Sequence, residues 1–188
     1  MGLTIEGPNG KVVLVSDEGK MATESVSASV EHHVNHHNGK AFNLLFTATP
    51  TNSTNPFLYV KNTSEDDMVL EGFTLHFVAS EWIDIKLGDV TGTPAGGTNI
   101  TPANLNSGSG VIADGGSTGS FQNGNAITAL SGGTVVQRIY HETSAGSTSY
   151  NFDQDIILKK NGVLTMYAET GGAALNGVLI FNYHNKEV

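Results

Sequence analysis

Met68-Val69-Leu70-Glu71-Gly72-Phe73-Thr74-Leu75-His76-Phe77-Val78-Ala79 is the stretch that decides the fold. Successive side chains of an extended chain point to opposite sides. Phe73, Leu75 and Phe77 therefore share one face, and Thr74, His76 and Val78 the other. A helix would need apolar residues at a 3.6 period and a string of good helix formers. The period here is two, which predicts a strand.

The same alternation recurs on both sides. Upstream, Phe57-Leu58-Tyr59-Val60-Lys61 reads as a strand that ends in the polar run Asn62 to Asp67. Two apolar runs around an Asn/Asp-rich turn predict a hairpin. Phe42 to Phe46 is an earlier strand, followed by a turn-rich loop from Pro50 to Pro56. Downstream, Ile83, Ile85 and Leu87 alternate with Asp84, Lys86 and Gly88, a strand with one wet face. Val135 to Tyr140 continues the series. Ile156-Ile157-Leu158 and Val163 to Tyr167 flank Asn161-Gly162, as a hairpin or as one bent strand. Val178 to Phe181 has the apolar density of a central strand. Strands at this spacing without a helical segment predict an all-β domain over residues 41–188, an antiparallel jelly-roll-like β-sandwich.

Two regions break the pattern. Thr91 to Gln137 is built from Gly, Ser, Thr, Asn and small apolar residues, with one charge at Asp114. It reads as long loops, suited to close, low-charge packing against copies of the chain or a partner, or else displayed to solvent. Residues 1–40 are polar, with Val12 to Val15 as one apolar run and Val26, Ala28 and Val30 alternating with serines. This predicts an extended N-terminal arm, too poor in apolar mass to offset its own ordering entropy.

Composition narrows the function classes. At 188 residues the chain suits one domain plus an arm. It has no cysteine, which excludes disulfides, thiolate metal sites and cysteine nucleophiles. The net charge is −9, Arg138 is the only arginine, and no basic run exists. Binding to duplex nucleic acid or to an anionic membrane is electrostatically unfavourable. No secretion signal is expected from the first residues, and no apolar run is long enough to span a bilayer. The triplets at Asn52, Asn62 and Asn99 are read as coincidental matches to the glycosylation pattern.

The sharpest local oddity is Glu31-His32-His33-Val34-Asn35-His36-His37. On a helix, His32 and His36 would share a face, as would His33 and His37. On a strand the same two pairs take opposite faces. Either way two imidazoles per face fall short of the three or four ligands of a zinc site. His32, His33, His36 and His37 are thus weak metal candidates, and a pH-sensitive contact is the other reading.

His76 followed by Glu81 suggests a cupin fragment, but the second histidine of a His-x-His pair is missing. His141-Glu142 with Ser144 or Ser147 suggests a hydrolase fragment, but no Gly-x-Ser-x-Gly elbow accompanies it. Glu65-Asp66-Asp67 reads as a solvated turn, and Asp153 with Asp155 as a strand start without the Gly and Glu of a calcium loop. Trp82, the only tryptophan, is expected at the core or its rim, with sugar stacking as the alternative if it is exposed. No catalytic residue and no cofactor is assigned.

Gly10 to Glu24, His32-His33, Gly39-Lys40-Ala41-Phe42, Leu58 to Ser64, Asp66 to Glu71, Thr91-Gly92-Thr93-Pro94 and Asn104-Leu105-Asn106 together carry a resemblance. The pattern resembles small virion proteins of tailed bacteriophages, and it covers most of the chain. The resemblance implies a β-sandwich head decoration or minor capsid protein, made in the host cytoplasm and bound to the outside of the shell. Its partners would be the major capsid protein and copies of itself, as a trimer. It brings no catalytic residues. An acidic surface suits the outside of a shell better than its DNA-facing side. The alternative expectation is a receptor- or glycan-binding module of a phage fibre or tail. That module would announce itself by an exposed aromatic cluster with polar groups, for which Trp82 and Tyr150 are the sequence candidates.

Overall fold

A computed structural model describes residues 4–6, 12–14, 37–51, 53–113 and 119–184. The chain divides into two compact units, Met1–His32 and His33–Val188. In the first, β1 (Thr4–Glu6) pairs antiparallel with β2 (Val12–Leu14), Thr4 opposite Leu14.

The second unit is all β, apart from a 3-10 turn at Thr143–Ala145 among its complete elements. Its long strands are β3 (Ala41–Ala48), β4 (Leu58–Lys61), β5 (Asp67–Phe77), β6 (Glu81–Leu87), β12 (Thr134–His141), β13 (Thr148–Leu158), β14 (Val163–Ala168) and β15 (Leu175–His184). Between β6 and β12 lie the short strands β7 (Thr91–Ala95), β8 (Thr98–Asn99), β9 (Ala103–Asn104), β10 (Phe121–Asn123) and β11 (Thr128–Ser131). Sheet 1 runs β12-β6-β14-β4-β10-β8, and sheet 2 runs β13-β5-β15-β3-β9.

The pairing of the long strands is nested and antiparallel throughout. The first lies beside the last (β3·β15), the second beside the seventh (β4·β14), the third beside the sixth (β5·β13) and the fourth beside the fifth (β6·β12). The last then borders the third, and the seventh borders the fourth. This is the order of a jelly roll, as the strand spacing leads one to expect.

Nesting overturns the hairpin read around Asn62 to Asp67, and both readings of Ile156 to Tyr167, as a hairpin or as one bent strand. β4 and β5 stand in different sheets, and so do β13 and β14. The polar turns between them are arches over the end of the sandwich. Each strand of such a pair buries its apolar side against the other across the core, so they face each other without sharing a ladder. The two arches are knitted together by Asn62, which is fully buried. Its Nδ2 donates to the carbonyls of Asp66 at 2.8 Å and Leu158 at 2.7 Å, and its Oδ1 accepts from Ser64 N at 2.9 Å. Asn161 holds φ +66°, a left-handed conformation that Asn tolerates better than most residues. Lys40, the last residue of the arm expected from sequence, accepts from Tyr183 N at 2.9 Å and pairs through Nζ with Asp66 at 2.7 Å.

The core is a phenylalanine stack between the sheets. Phe42, Phe57, Phe73, Phe77, Phe121 and Phe181 are all fully enclosed. Phe181 stacks on Phe42 at 5.5 Å and on Phe121 at 5.7 Å between centroids. Gly177 sits on the core side of β15, where a Cβ would come within 2.4 Å of the Phe46 ring and 2.5 Å of Leu75. A side chain there would collide with both.

The uncharged middle packs on its own domain along part of its length. β10 extends sheet 1 beyond β4, and β9 extends sheet 2 beyond β3. Both sheets thereby gain a protective strand at the same side of the sandwich, where β4 and β3 would otherwise offer open ladders. On the opposite side β12 and β13 are the edges, and each carries a register shift, after Val135 and after Asn151. Irregular edges of this kind resist pairing with another chain.

Candidate functional site

The sandwich has two outer faces, and they differ. On sheet 1, Leu58, Val60, Leu164 and Met166 point into the core, so Tyr59 and Val163 must point out. Both are nonetheless buried, because Ile127 closes over them with Val90 and Leu130 from the insertion. Burial pushes the phenols of Tyr59 and Tyr167 above their ordinary value of 10.0. The Lys86 ammonium lies 3.8 Å above the Tyr167 ring.

Further along sheet 1 the outer face opens. Trp82 and Tyr140 are register partners on β6 and β12, with ring centroids 4.9 Å apart and planes inclined by 48°. Trp82 is 42% exposed and Tyr140 48%. The register neighbours Arg138 and Asp84 share this face. Arg138 donates from Nε to Asp84 Oδ1 at 2.6 Å and from Nη2 to Asp84 Oδ2 at 2.9 Å. Its Nη1 lies 3.6 Å from Glu169 Oε1. The hydrogen bonds and the charge of Asp84 hold the Arg138 guanidinium above its ordinary value.

The outer face of sheet 2 mixes aliphatic and polar side chains instead. Leu45 opposes Val178, Val178 opposes Thr74, and Thr74 opposes Ser149, with Thr74 and Ser149 hydroxyls 2.8 Å apart. This row carries no charge. Leu45 is 63% exposed and Ile157 48%, while Val178 and Ile180 are half-buried. Within the second unit, no described strand packs over Leu45 as the insertion packs over sheet 1.

The polar candidates from the sequence are largely occupied. Glu81 is buried, and its carboxylate accepts from Trp82 N at 3.0 Å and from Thr170 N and Gly171 N at 2.9 Å each. His141 is register partner of Glu81, fully buried, with Nδ1 2.8 Å from the Thr148 hydroxyl and Nε2 3.2 Å from the Phe77 carbonyl. His76 pairs through Nδ1 with the Gly146 carbonyl. Glu65 pairs with Lys160, Asp66 with Lys40 and Asp67 with Lys159, so that acidic run is an ion-paired arch. Asp153 and Asp155 line a cleft of about 350 Å³ between edge strands β12 and β13. Among the described residues no three His, Asp or Glu side chains converge as a metal site would require. His32, His33 and His36 lie outside the described residues. His37 is exposed, and its carbonyl accepts from Asn106 Nδ2 at 3.1 Å.

Of the aromatic candidates, Tyr150 is packed into the fold. It stacks on Phe73 at 6.0 Å and meets Phe152 edge-on at 5.6 Å. Trp82 is the exposed one. Its partner Tyr140 escaped the sequence reading, although the alternation was visible. Ile83, Ile85 and Leu87 face inward, so Trp82 belongs with Asp84 and Lys86 on the wet side.

Comparison with protein-family models, with curated proteins and with solved structures finds no match to this chain. The functional reading therefore rests on the geometry of its own surface.

Proposed function

We propose that this chain is a structural virion protein, a decoration subunit that binds the outside of a tailed-bacteriophage head and stabilises it. The carrying observation is the uncharged row Leu45–Val178–Thr74–Ser149 on the outer face of sheet 2, two aliphatic side chains followed by a hydrogen-bonded pair of hydroxyls. Apolar area presented together, without interleaved charges, is the material of protein contacts. Jelly rolls recur in viral capsid domains. The buried polar groups of this one, Glu81, His141 and Asn62, are engaged in holding turns and strands together. The protein works by area covered rather than by turnover. The major capsid protein and two further copies of the chain are its partners, and the acidic surface faces outward. Residues 1–40 supply additional contact to a neighbouring subunit.

Binding to purified phage heads that lack the subunit tests the reading. Replacing Leu45 and Val178 together by Asp lowers co-sedimentation with the heads at least 10-fold while leaving the fold intact by circular dichroism. Deleting residues 1–40 lowers it as well. Undiminished binding by both variants refutes the assignment. Sedimentation equilibrium of the free protein reports the trimer directly.

A further inference from the structure

The exposed aromatic pair on sheet 1 calls for a different ligand from the uncharged row on sheet 2. Trp82 and Tyr140 present roughly half of their side chains to solvent, at 42% and 48%. Among the described residues neither the indole N–H nor the phenol has a hydrogen-bond partner. Beside them stands a fixed polar frame, with Arg138 clamped on both oxygens of Asp84 and Glu169 at its third nitrogen.

We propose that this patch binds an uncharged hexopyranose unit of a glycan. A pyranose ring is amphipathic in a particular way. One face is a sheet of C–H groups, which packs on the negative face of an aromatic ring. Its rim carries hydroxyls, each able to donate and accept. Trp82 and Tyr140 supply the ring surface. The three N–H groups of Arg138 not bonded to Asp84 and the remaining lone pairs of Asp84 and Glu169 supply donors and acceptors side by side. The ion pair holds both groups in place before the ligand arrives, so little side-chain entropy is lost on binding.

Charge selects among sugars. Arg138 is opposed by two carboxylates, on a chain of net charge −9. A sialic or uronic acid would meet no net positive field here, and a neutral hexose meets no penalty. A protein partner is the other class that favours Trp, Tyr and Arg. Such anchors sit inside a continuous apolar patch from which charges are depleted. Here the rings border Arg138, at 49% side-chain exposure, and Glu169, at 47%.

Trp82 is the only tryptophan, so its emission reports this site alone. The full chain is titrated with cellohexaose, maltohexaose, a galactose-based hexamer and an N-acetylglucosamine hexamer, with sialyllactose as the anionic control. The expected result is a saturable emission change with at least one neutral oligosaccharide and none with sialyllactose. Tyr140→Ala and Arg138→Ala each weaken binding at least 10-fold, Tyr140→Phe keeps the ring and retains most of it, and Leu45→Asp leaves it unchanged. No saturable change with any neutral oligosaccharide overturns the proposal, as does selective binding of sialyllactose. Binding that survives both Tyr140→Ala and Arg138→Ala overturns it too. If Tyr140→Ala alters the sedimentation of the protein and no sugar binds, the patch is a protein contact instead.

Discussion

Tyr59 and Val163 on sheet 1 and Leu45 and Ile157 on sheet 2 all point away from the phenylalanine core, yet they meet opposite surroundings. The first pair is buried, at 4% and 5% exposure, under Ile127. The second is open, at 63% and 48%. Alternation along a strand decides only that a side chain leaves the core. Whether it then reaches water depends on what a distant segment lays over it. Here the segment between β6 and β12 covers part of sheet 1, and within the second unit no described strand packs over Leu45 and Ile157 on sheet 2. The covered side chains add to the buried apolar area of the fold, and the open ones do not.

Removing the anchor of the cover is the strongest way to break this contrast. Phe121 enters the core from β10, and Phe121→Ala costs about 3–5 kcal/mol. For a domain of this size that lowers the thermal midpoint by about 6–20 °C, read by differential scanning calorimetry. Ile127→Ala lifts the cover from Tyr59 and Val163 directly and costs about 2–4 kcal/mol. Its signature is tyrosine exposure, seen as a larger solvent-perturbation difference spectrum than wild type gives.

The buried phenols give the next effect. Tyr59 and Tyr167 stay protonated in the folded chain at a pH where the unfolded chain has begun to ionise. The unfolded state therefore binds fewer protons above about pH 10, and stability falls as pH rises through that value. Urea midpoints measured between pH 8 and 11 show the decline, and Tyr59→Phe with Tyr167→Phe flattens it. The smallest effect belongs to the open face. Leu45→Asp changes stability by no more than about 0.5 kcal/mol. A much larger loss in the isolated protein would mean that Leu45 is already covered, and the contrast between the faces would collapse.

The sites were unevenly legible. The inward faces of β5, β6 and β15 follow from residue order alone, because burial of alternate side chains is a local pattern. Trp82 was expected at the core or its rim, but it is 42% exposed, because the same alternation that turns Ile83 and Ile85 inward turns it outward. Tyr140 beside it did not follow from residue order, since cross-strand neighbours are brought together by register and not by sequence distance. The two arches failed as hairpins for a related reason. A polar turn such as Asn62 to Asp67 reverses the chain equally well within one sheet or between two. Asn62 reveals which by donating to Leu158, far away along the chain.

Residue order and composition alone establish an all-β chain, the inward faces of strands such as β5 and β6, and an acidic net charge. These are sums over local periodicity and composition, which no partner can alter. Only the tertiary structure decided the nested strand order, the protection of β3 and β4 by the uncharged middle, and the division into a covered and an open face. Each of these depends on contacts between segments far apart in sequence. The core-facing sides of such strands are nearly interchangeable in chemistry, so shape complementarity across the sandwich selects among them.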